Sequence, residues 1–308
     1  HGASAMERTY PRPHSRVRAR VVQVGRVISR MDARTFLGLE STHNDRRWHL
    51  PVHHRNTTSG GFLFGGCALG AAISAMEGTT KRPCVWATAQ YLSYARPGEV
   101  LDIDVIVANE GNSITQARVV GHVGEREILT VNAALGERTF SHNGQFVTMP
   151  TVSHPDSLPQ REHMNVLNGS FHDYLEERFA KGRTLDQLDG VANDGRTQMW
   201  ARIPSVIDAV DAATLAILGD FVPMGVGQAF GIRGGGNSLD NTLRVVQLVS
   251  TDWILLDIQI HGVENGFGHG EVHMWAEDGT LLAVASQSCI ARMWRDEQKR
   301  EDRVRETR

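Results

Sequence analysis

The residues best placed to do chemistry in this 308-residue chain lie in and after one apolar passage, Leu215 to Val246. The run Leu215-Ala216-Ile217-Leu218-Gly219-Asp220-Phe221-Val222-Pro223 delivers a lone carboxylate beside a glycine. An acid in such surroundings costs free energy unless it is hydrogen-bonded or used. Small and apolar residues follow, among them Met224, Val226, Ala229 and Phe230. Gly234 to Gly236 then release Asn237-Ser238-Leu239-Asp240-Asn241-Thr242 into a strand pattern. A third polar residue, Gln287, ends the segment Leu282-Ala283-Val284-Ala285-Ser286-Gln287. Taken singly, each has an ordinary explanation, and on sequence physics alone that explanation stands ahead. Asp220 after Gly219 suits a helix N-cap, Ser238 a strand-start hydroxyl, and Gln287 a strand residue facing water.

Other chemistries find little support. Gly225-Val226-Gly227-Gln228-Ala229-Phe230-Gly231 follows no strand and its last glycine falls one residue late for a dinucleotide loop. Neither a GxSxG elbow nor a GK[ST] loop occurs. His49, His53 and His54 lack a carboxylate or cysteine to complete a ligand set, and His269 and His273 lack acid or thiolate partners at ligand spacing. No metal and no cofactor is expected. Cys67, Cys84 and Cys289 are sparse, odd in number and without CxxC spacing, which argues for a reducing compartment.

Composition sets the frame for these residues. Apolar residues make up 41% and charged residues 22%, so a sizeable core is expected. A net charge of −3 calls for neither nucleic acid nor an anionic membrane. The most apolar stretch, around 215–232, is interrupted by Asp220 and Pro223, so no membrane insertion is expected. His1-Gly2-Ala3-Ser4-Ala5 resembles an expression remnant, with Met6 as the native start. Glu306-Thr307-Arg308 is not a peroxisomal address, and cytoplasmic residence is the expectation.

The elements that must position the polar residues come in two similar sets. Residues 1–30 form a basic arm, expected to be solvated. A first unit, 31–140, holds a strand around Arg46 to His54, then a helix opened by Phe64-Gly65-Gly66 and apolar almost all round to Met76. Strands follow over Val85 to Tyr94, Val100 to Ala108, Ser113 to His122 and Glu127 to Leu135. A linker occupies 141–165. The second unit, 166–294, starts with strands over Phe171 to Phe179 and Gln198 to Ile203, then a helix from Ser205 to Leu218 with Asp208 and Asp211 in its early turns. Residues 295–308 are a charged tail. At an offset of 155, Asp102–Ile106 falls on Asp257–His261, Gly111 on Gly266, and Gly124 on Gly279, while Gly65 falls on Gly219 at 154. These offsets pair Asp220 with Gly66 and Gln287 with Asn132; Thr88 lies near the counterpart of the strand-start hydroxyl. The expected class is α+β: two helix-wrapped antiparallel sheets joined edge to edge, a double hotdog.

Motif order supplies a further expectation. Gly219-Asp220-Phe221-Val222-Pro223, Asn237 to Thr242 and Leu282 to Gln287 resemble the type II acyl-CoA thioesterases, a TesB-like, double-hotdog family. Phe64-Gly65-Gly66, Leu92 to Gly98 and Gly111-Asn112-Ser113 resemble the same family, so the likeness spans roughly residues 35–294. It implies that an Asp, a Ser or Thr and a Gln position a water, roles that carry to Asp220, Ser238 and Gln287, with Thr242 as an alternative hydroxyl. Asp220 would be the general base. Ser238 has no apparent histidine to make it a nucleophile. An oxyanion would sit at the helix start around Gly65, Gly66 and Cys67, with the amides of Gly66 and Cys67 as donors. The family's usual Asp-His-Ser/Thr is Asp240-Asn241-Thr242 here, and its Gln-Glu-Gly is Gln287-Ser288-Cys289. The resemblance implies acyl-CoA as substrate. Two other readings stay open: a non-catalytic acyl-CoA-binding protein, and a hotdog hydratase or dehydratase, which would want a His paired with an acid near the helix start. A homo-oligomer is expected, with one active site per chain.

Overall fold

The computed structural model describes residues 31–163, 169–206 and 210–294. The basic arm, the charged tail and Asp208 lie outside them. In chain order the elements are α1 (Ala33–Leu37), β1 (Glu40–Ser41), β2 (Arg47–Pro51), α2 (Gly65–Thr80), β3 (Cys84–Tyr91), β4 (Val100–Glu110), β5 (Ile114–Val123) and β6 (Arg126–Gly136). The second set is β7 (Glu176–Lys181), β8 (Arg196–Arg202), α3 (Ala212–Leu218), α4 (Val222–Phe230), β9 (Gly234–Ser238), β10 (Asp240–Val245), β11 (Ile254–Glu264), β12 (Phe267–Ala276) and β13 (Leu281–Met293).

Thirteen strands form one antiparallel sheet in the order β1-β2-β4-β5-β6-β3-β10-β13-β12-β11-β8-β7, with β9 also on β13. The two units therefore join through β3 and β10. Strand alternation sets the two faces. Ala87, Ala89, Leu243 and Ala285 turn inward to the helices, while Trp86, Thr88, Thr242 and Arg244 turn outward. At the joint Thr88 pairs with Thr242, and their hydroxyls lie 2.7 Å apart.

The helices pack closely because α2 is small. A Cβ on Gly66 would come within 2.7 Å of the Ile217 carbonyl oxygen, and one on Gly70 within 3.0 Å of the Ala213 carbonyl oxygen. One turn apart, these glycines form the groove that receives α3. The apolar core runs unbroken from Leu69 and Ile73 of α2 to Leu215, Ile217 and Val226 of the second unit. That burial on all sides accounts for the almost wholly apolar sequence of α2.

Three local expectations change. The second unit's first helix starts at Ala212, not Ser205; Asp211 caps it by accepting from the Thr214 N–H at 2.7 Å. Phe171–Tyr174 forms a 3₁₀ turn, and the strand there begins at Glu176. Between the sets, Met149, Val152 and Leu158 lie against Trp200, Trp253, Leu255 and Trp275 on the outer face of the second half of the sheet. The Trp200 indole N–H donates to the Ser153 carbonyl at 2.9 Å.

Strand pairing also corrects the repeat. Cys84 pairs with Leu135 as Ser238 pairs with Cys289, and Thr88 with Asn132 as Thr242 with Ser286. The counterpart of Gln287 is thus Ala133 rather than Asn132, and that of Ser238 is Cys84 rather than a residue near Thr88. Register shifts interrupt the ladders of both units, so one offset does not carry across every strand.

Candidate active site

The site begins where the second unit's apolar helix is broken. α3 ends at Gly219, and α4 starts afresh with Pro223 in its first turn, where a missing N–H costs nothing. Phe221 occupies the N-cap and offers no side-chain hydrogen bond. The unpaired Val222 N–H of the new helix donates instead to Gln287 Oε1 at 3.2 Å. Asp220 sits in this break and is 5% exposed. Its carboxylate does not cap its own helix. Oδ2 accepts from the Gly66 N–H at 2.6 Å, at the start of α2, where the helix dipole favours negative charge.

Two side chains hold the other oxygen. Ser238 Oγ donates to Asp220 Oδ1 at 3.0 Å, and Gln287 Nε2 donates to the same atom. Gln287 Nε2 also approaches Ser238 Oγ at 3.2 Å. Gln287 is 3% exposed, so it faces the core rather than water. The three residues implied by the resemblance therefore converge on one point, brought there by the α3–α4 break, the end of β9 and the inner face of β13. The hydrogen bonds from Gln287, Ser238 and Gly66 all favour the ionised carboxylate, but burial outweighs them and pushes its pKa from 3.8 up to about 6. A carboxylate poised there exchanges protons near neutral pH. It has about four lone-pair positions. Three take the donors just named.

The remaining predicted residues divide. A Cβ on Gly65 would stand 2.6 Å from Asp220 Oδ2 and 3.1 Å from the Tyr91 hydroxyl, so the carboxylate rests against bare backbone. The Gly66 N–H is spent on Asp220, which corrects its expected part as an oxyanion donor; the Cys67 N–H next to it has no hydrogen-bond partner among the described residues. The Cys67 thiol is fully buried, and burial, with Asp220 beside it, pushes its pKa far up, so it is not a thiolate. Thr242 is not brought to the site: its hydroxyl meets Thr88 on the outer face, beside a cavity of about 310 Å³ lined by Trp86, Thr88, Thr242 and Arg244. Among the described residues no imidazole hydrogen-bonds to Ser238, whose side-chain partners are Asp220 and Gln287.

Two neighbours of the site escape sequence reasoning. The Tyr91 hydroxyl donates to the Gly65 carbonyl at 2.8 Å and so braces the start of α2. Burial and Asp220 push its phenol well up, so it stays a neutral donor. Asn241 is 1% exposed. Its signal was available: in Asp240-Asn241-Thr242-Leu243 it shares the inward phase with Leu243, and a polar residue in that phase is out of place.

The chain resembles known proteins along most of its length. An acyl-CoA thioesterase N-terminal domain model matches residues 53–136, and the corresponding C-terminal domain model matches residues 146–291. A structure from Novosphingobium aromaticivorans DSM 12444 with a provisional thioesterase assignment is 32% identical, with a TM-score of 0.73, over 82% of this chain and 97% of its own. A hot dog-fold protein of unknown function from Alicyclobacillus acidocaldarius is 19% identical, with a TM-score of 0.74, over 85% of this chain and 98% of its own. An acyl-CoA thioesterase II from Mycobacterium marinum is 19% identical, with a TM-score of 0.67, over 86% of this chain and 99% of its own. No curated protein gives a significant match. The α+β architecture of the chain is the hot dog fold.

Proposed function

This chain belongs to the acyl-CoA thioesterase family, and on that premise we propose that it hydrolyses acyl-CoA with a water held by Asp220, Ser238 and Gln287. The observation that carries this reading is the buried Asp220 carboxylate, raised to about 6 and gripped by Ser238, Gln287 and the Gly66 N–H. Its remaining acceptor position orients a water, and the hydroxyl of Ser238 and the amide of Gln287 fix that water's place.

The reaction follows from these positions. Asp220 takes a proton from the water as the water oxygen attacks the thioester carbonyl carbon. The carbonyl oxygen gains charge and is met by the Cys67 N–H at the start of α2. The tetrahedral centre collapses, the carbon–sulfur bond breaks, and the proton held by Asp220 passes to the departing sulfur. A fatty acid and free CoA thiol leave. Ser238 is a hydrogen-bond donor in this scheme and not a nucleophile.

One unit supplies the carboxylate, hydroxyl and carboxamide, and the other supplies the α2 start. The counterparts of Asp220, Ser238 and Gln287 are Gly66, Cys84 and Ala133, which offer neither a carboxylate nor a carboxamide to hold a water, so the reading includes one site per chain. Cytoplasmic residence and a homo-oligomer complete the proposal. The three unpaired, buried cysteines are consistent with a reducing compartment, and the mass of the protein in solution at micromolar concentration tests the assembly.

The test is a panel of acyl-CoA substrates of graded chain length, with free thiol followed over time. Thiol release in proportion to enzyme is expected. Binding of every acyl-CoA without thiol release by the folded protein would instead identify a carrier, and addition of water across an enoyl-CoA a hydratase.

A further inference from the structure

Asn241 is the one fully buried carboxamide whose nitrogen and oxygen both go without a hydrogen bond among the described residues. Leaving such a group unpaired costs about 1–3 kcal/mol, and unpaired groups of this kind call for an explanation. Its place narrows the explanation. Asn241 lies on β10 between β3 and β13 and pairs with Ala89. The Thr242–Ser286 pair is the next rung. One step beyond that rung stands Gln287, on the same inward face. On the other side the amide faces the Tyr91 hydroxyl, which is already donating to the Gly65 carbonyl. Tyr91 and Asp220 meet in turn at the same glycine. Asn241 therefore stands on the inward face beside Gln287, its oxygen without a partner and its nitrogen turned to a Tyr91 hydroxyl that is itself spent on Gly65.

We propose that Asn241 is a catalytic residue whose side-chain N–H₂ donates to the thioester carbonyl oxygen, opposite the Cys67 N–H. The inference rests on the hydrolytic reading above and adds to it the second oxyanion donor. A carboxamide keeps both donor hydrogens at any working pH, and in a site closed to water such a donor strengthens as the oxygen takes up charge. The pseudo-symmetric position, Ala87, is buried and apolar, so the polar group occurs only in the half of the sheet that carries Gln287. The alternation of β10 also explains why Asp240 is not the donor: it points outward, where Oδ1 accepts from the Ser288 N–H at 2.7 Å.

Binding of two inert CoA ligands of equal chain length tests this directly: an S-(2-oxoalkyl)-CoA, which keeps a carbonyl, and an S-alkyl-CoA, which has none. Asn241→Ala should lower kcat by about 10²-fold or more and weaken the oxoalkyl ligand by about tenfold, while S-alkyl-CoA binds within twofold of wild type. Its Tm should hold or rise, because two unpaired polar atoms leave the core. Equal weakening of both ligands together with a fallen Tm would make Asn241 a packing residue, and unchanged kcat would remove it from the reaction; either overturns the proposal. If Asn241→Ala does not fold, Asn241→Ser is read by the same two ligands. Wild-type protein that binds neither ligand and releases no thiol would instead refute the hydrolytic reading itself.

Discussion

The buried state of Asp220 predicts how the reaction responds to pH. Its pKa stands at about 6 because burial penalises the charge more than Gln287, Ser238 and Gly66 reward it. A general base works only when ionised, so kcat/KM, which reports the free enzyme, should rise with pH, reach half its plateau near 6 and fall to about a tenth one unit lower. Ser238→Ala removes one donor to the carboxylate. A hydrogen bond to a charged group is worth about 1.5–3 kcal/mol, so this change should move the rising limb up by about one to two units. Asp220→Asn should abolish the limb and lower the plateau by about 10²- to 10⁴-fold. Stability carries the opposite sign. A carboxyl whose folded-state pKa lies above its unfolded value favours the folded protein fully below pH 4 or so, and that advantage is lost as pH rises through about 6. The shift amounts to on the order of 3 kcal/mol, which Asp220→Asn should remove from the pH dependence of unfolding. The assay is thiol release across pH 4.5 to 8.5 with denaturant unfolding at the same points. A flat rate profile, or a limb in Asp220→Asn coincident with wild type, would refute the assignment.

The other predictions concern the partners of that acid. Gln287→Ala should cost about 10²-fold in kcat, since it leaves the Val222 N–H unpaired and Asp220 short of a donor, while Asn132→Ala, on the exposed face of β6, should leave turnover nearly intact; equal damage from both would contradict the placement of the site on the inward face. Gly66→Ala should lower Tm and activity together, because its Cβ would meet the carbonyl oxygens of Ile217 and Ala216 at 2.7 and 2.9 Å; a variant with wild-type Tm would show that α2 and α3 are not held this close. Titration of the enzyme with a tight, non-hydrolysable acyl-CoA analogue should end catalysis at one equivalent per chain, and two equivalents would reveal a second site.

Much of this arrangement is written in local sequence. The meander of the first unit follows from alternation in Ile103, Val105 and Val107 and from the turns around Gly111 and Gly124. The helix from Gly65 is announced by its small apolar residues, and the pairing of Gly65 with Gly219 locates the α2 start opposite the acid. Other features depend on partners that no local pattern names. Gln287 resembles a solvent-facing strand residue until the α3–α4 break is placed over β13. The loss of the Gly66 amide to Asp220 depends on contact between residues 154 apart. Asn132 takes the place of Ala133 in a sequence offset because bulges shift strand register by one residue without a mark in the sequence. Thr242 and Ser238 are both hydroxyls in strand context, and only the pleat and the break between β9 and β10 decide which of them turns toward the acid.

The central claim is that water, and not a side chain, attacks the thioester. A single turnover in ¹⁸O-labelled water, with enzyme in excess over acyl-CoA, tests it directly. Direct attack by the water on Asp220 places one ¹⁸O in the fatty acid formed in that first turnover and leaves the Asp220 and Ser238 peptides unlabelled and unacylated by mass. An unlabelled fatty acid with ¹⁸O in the Asp220 peptide, or an acyl group trapped on Ser238, would contradict it.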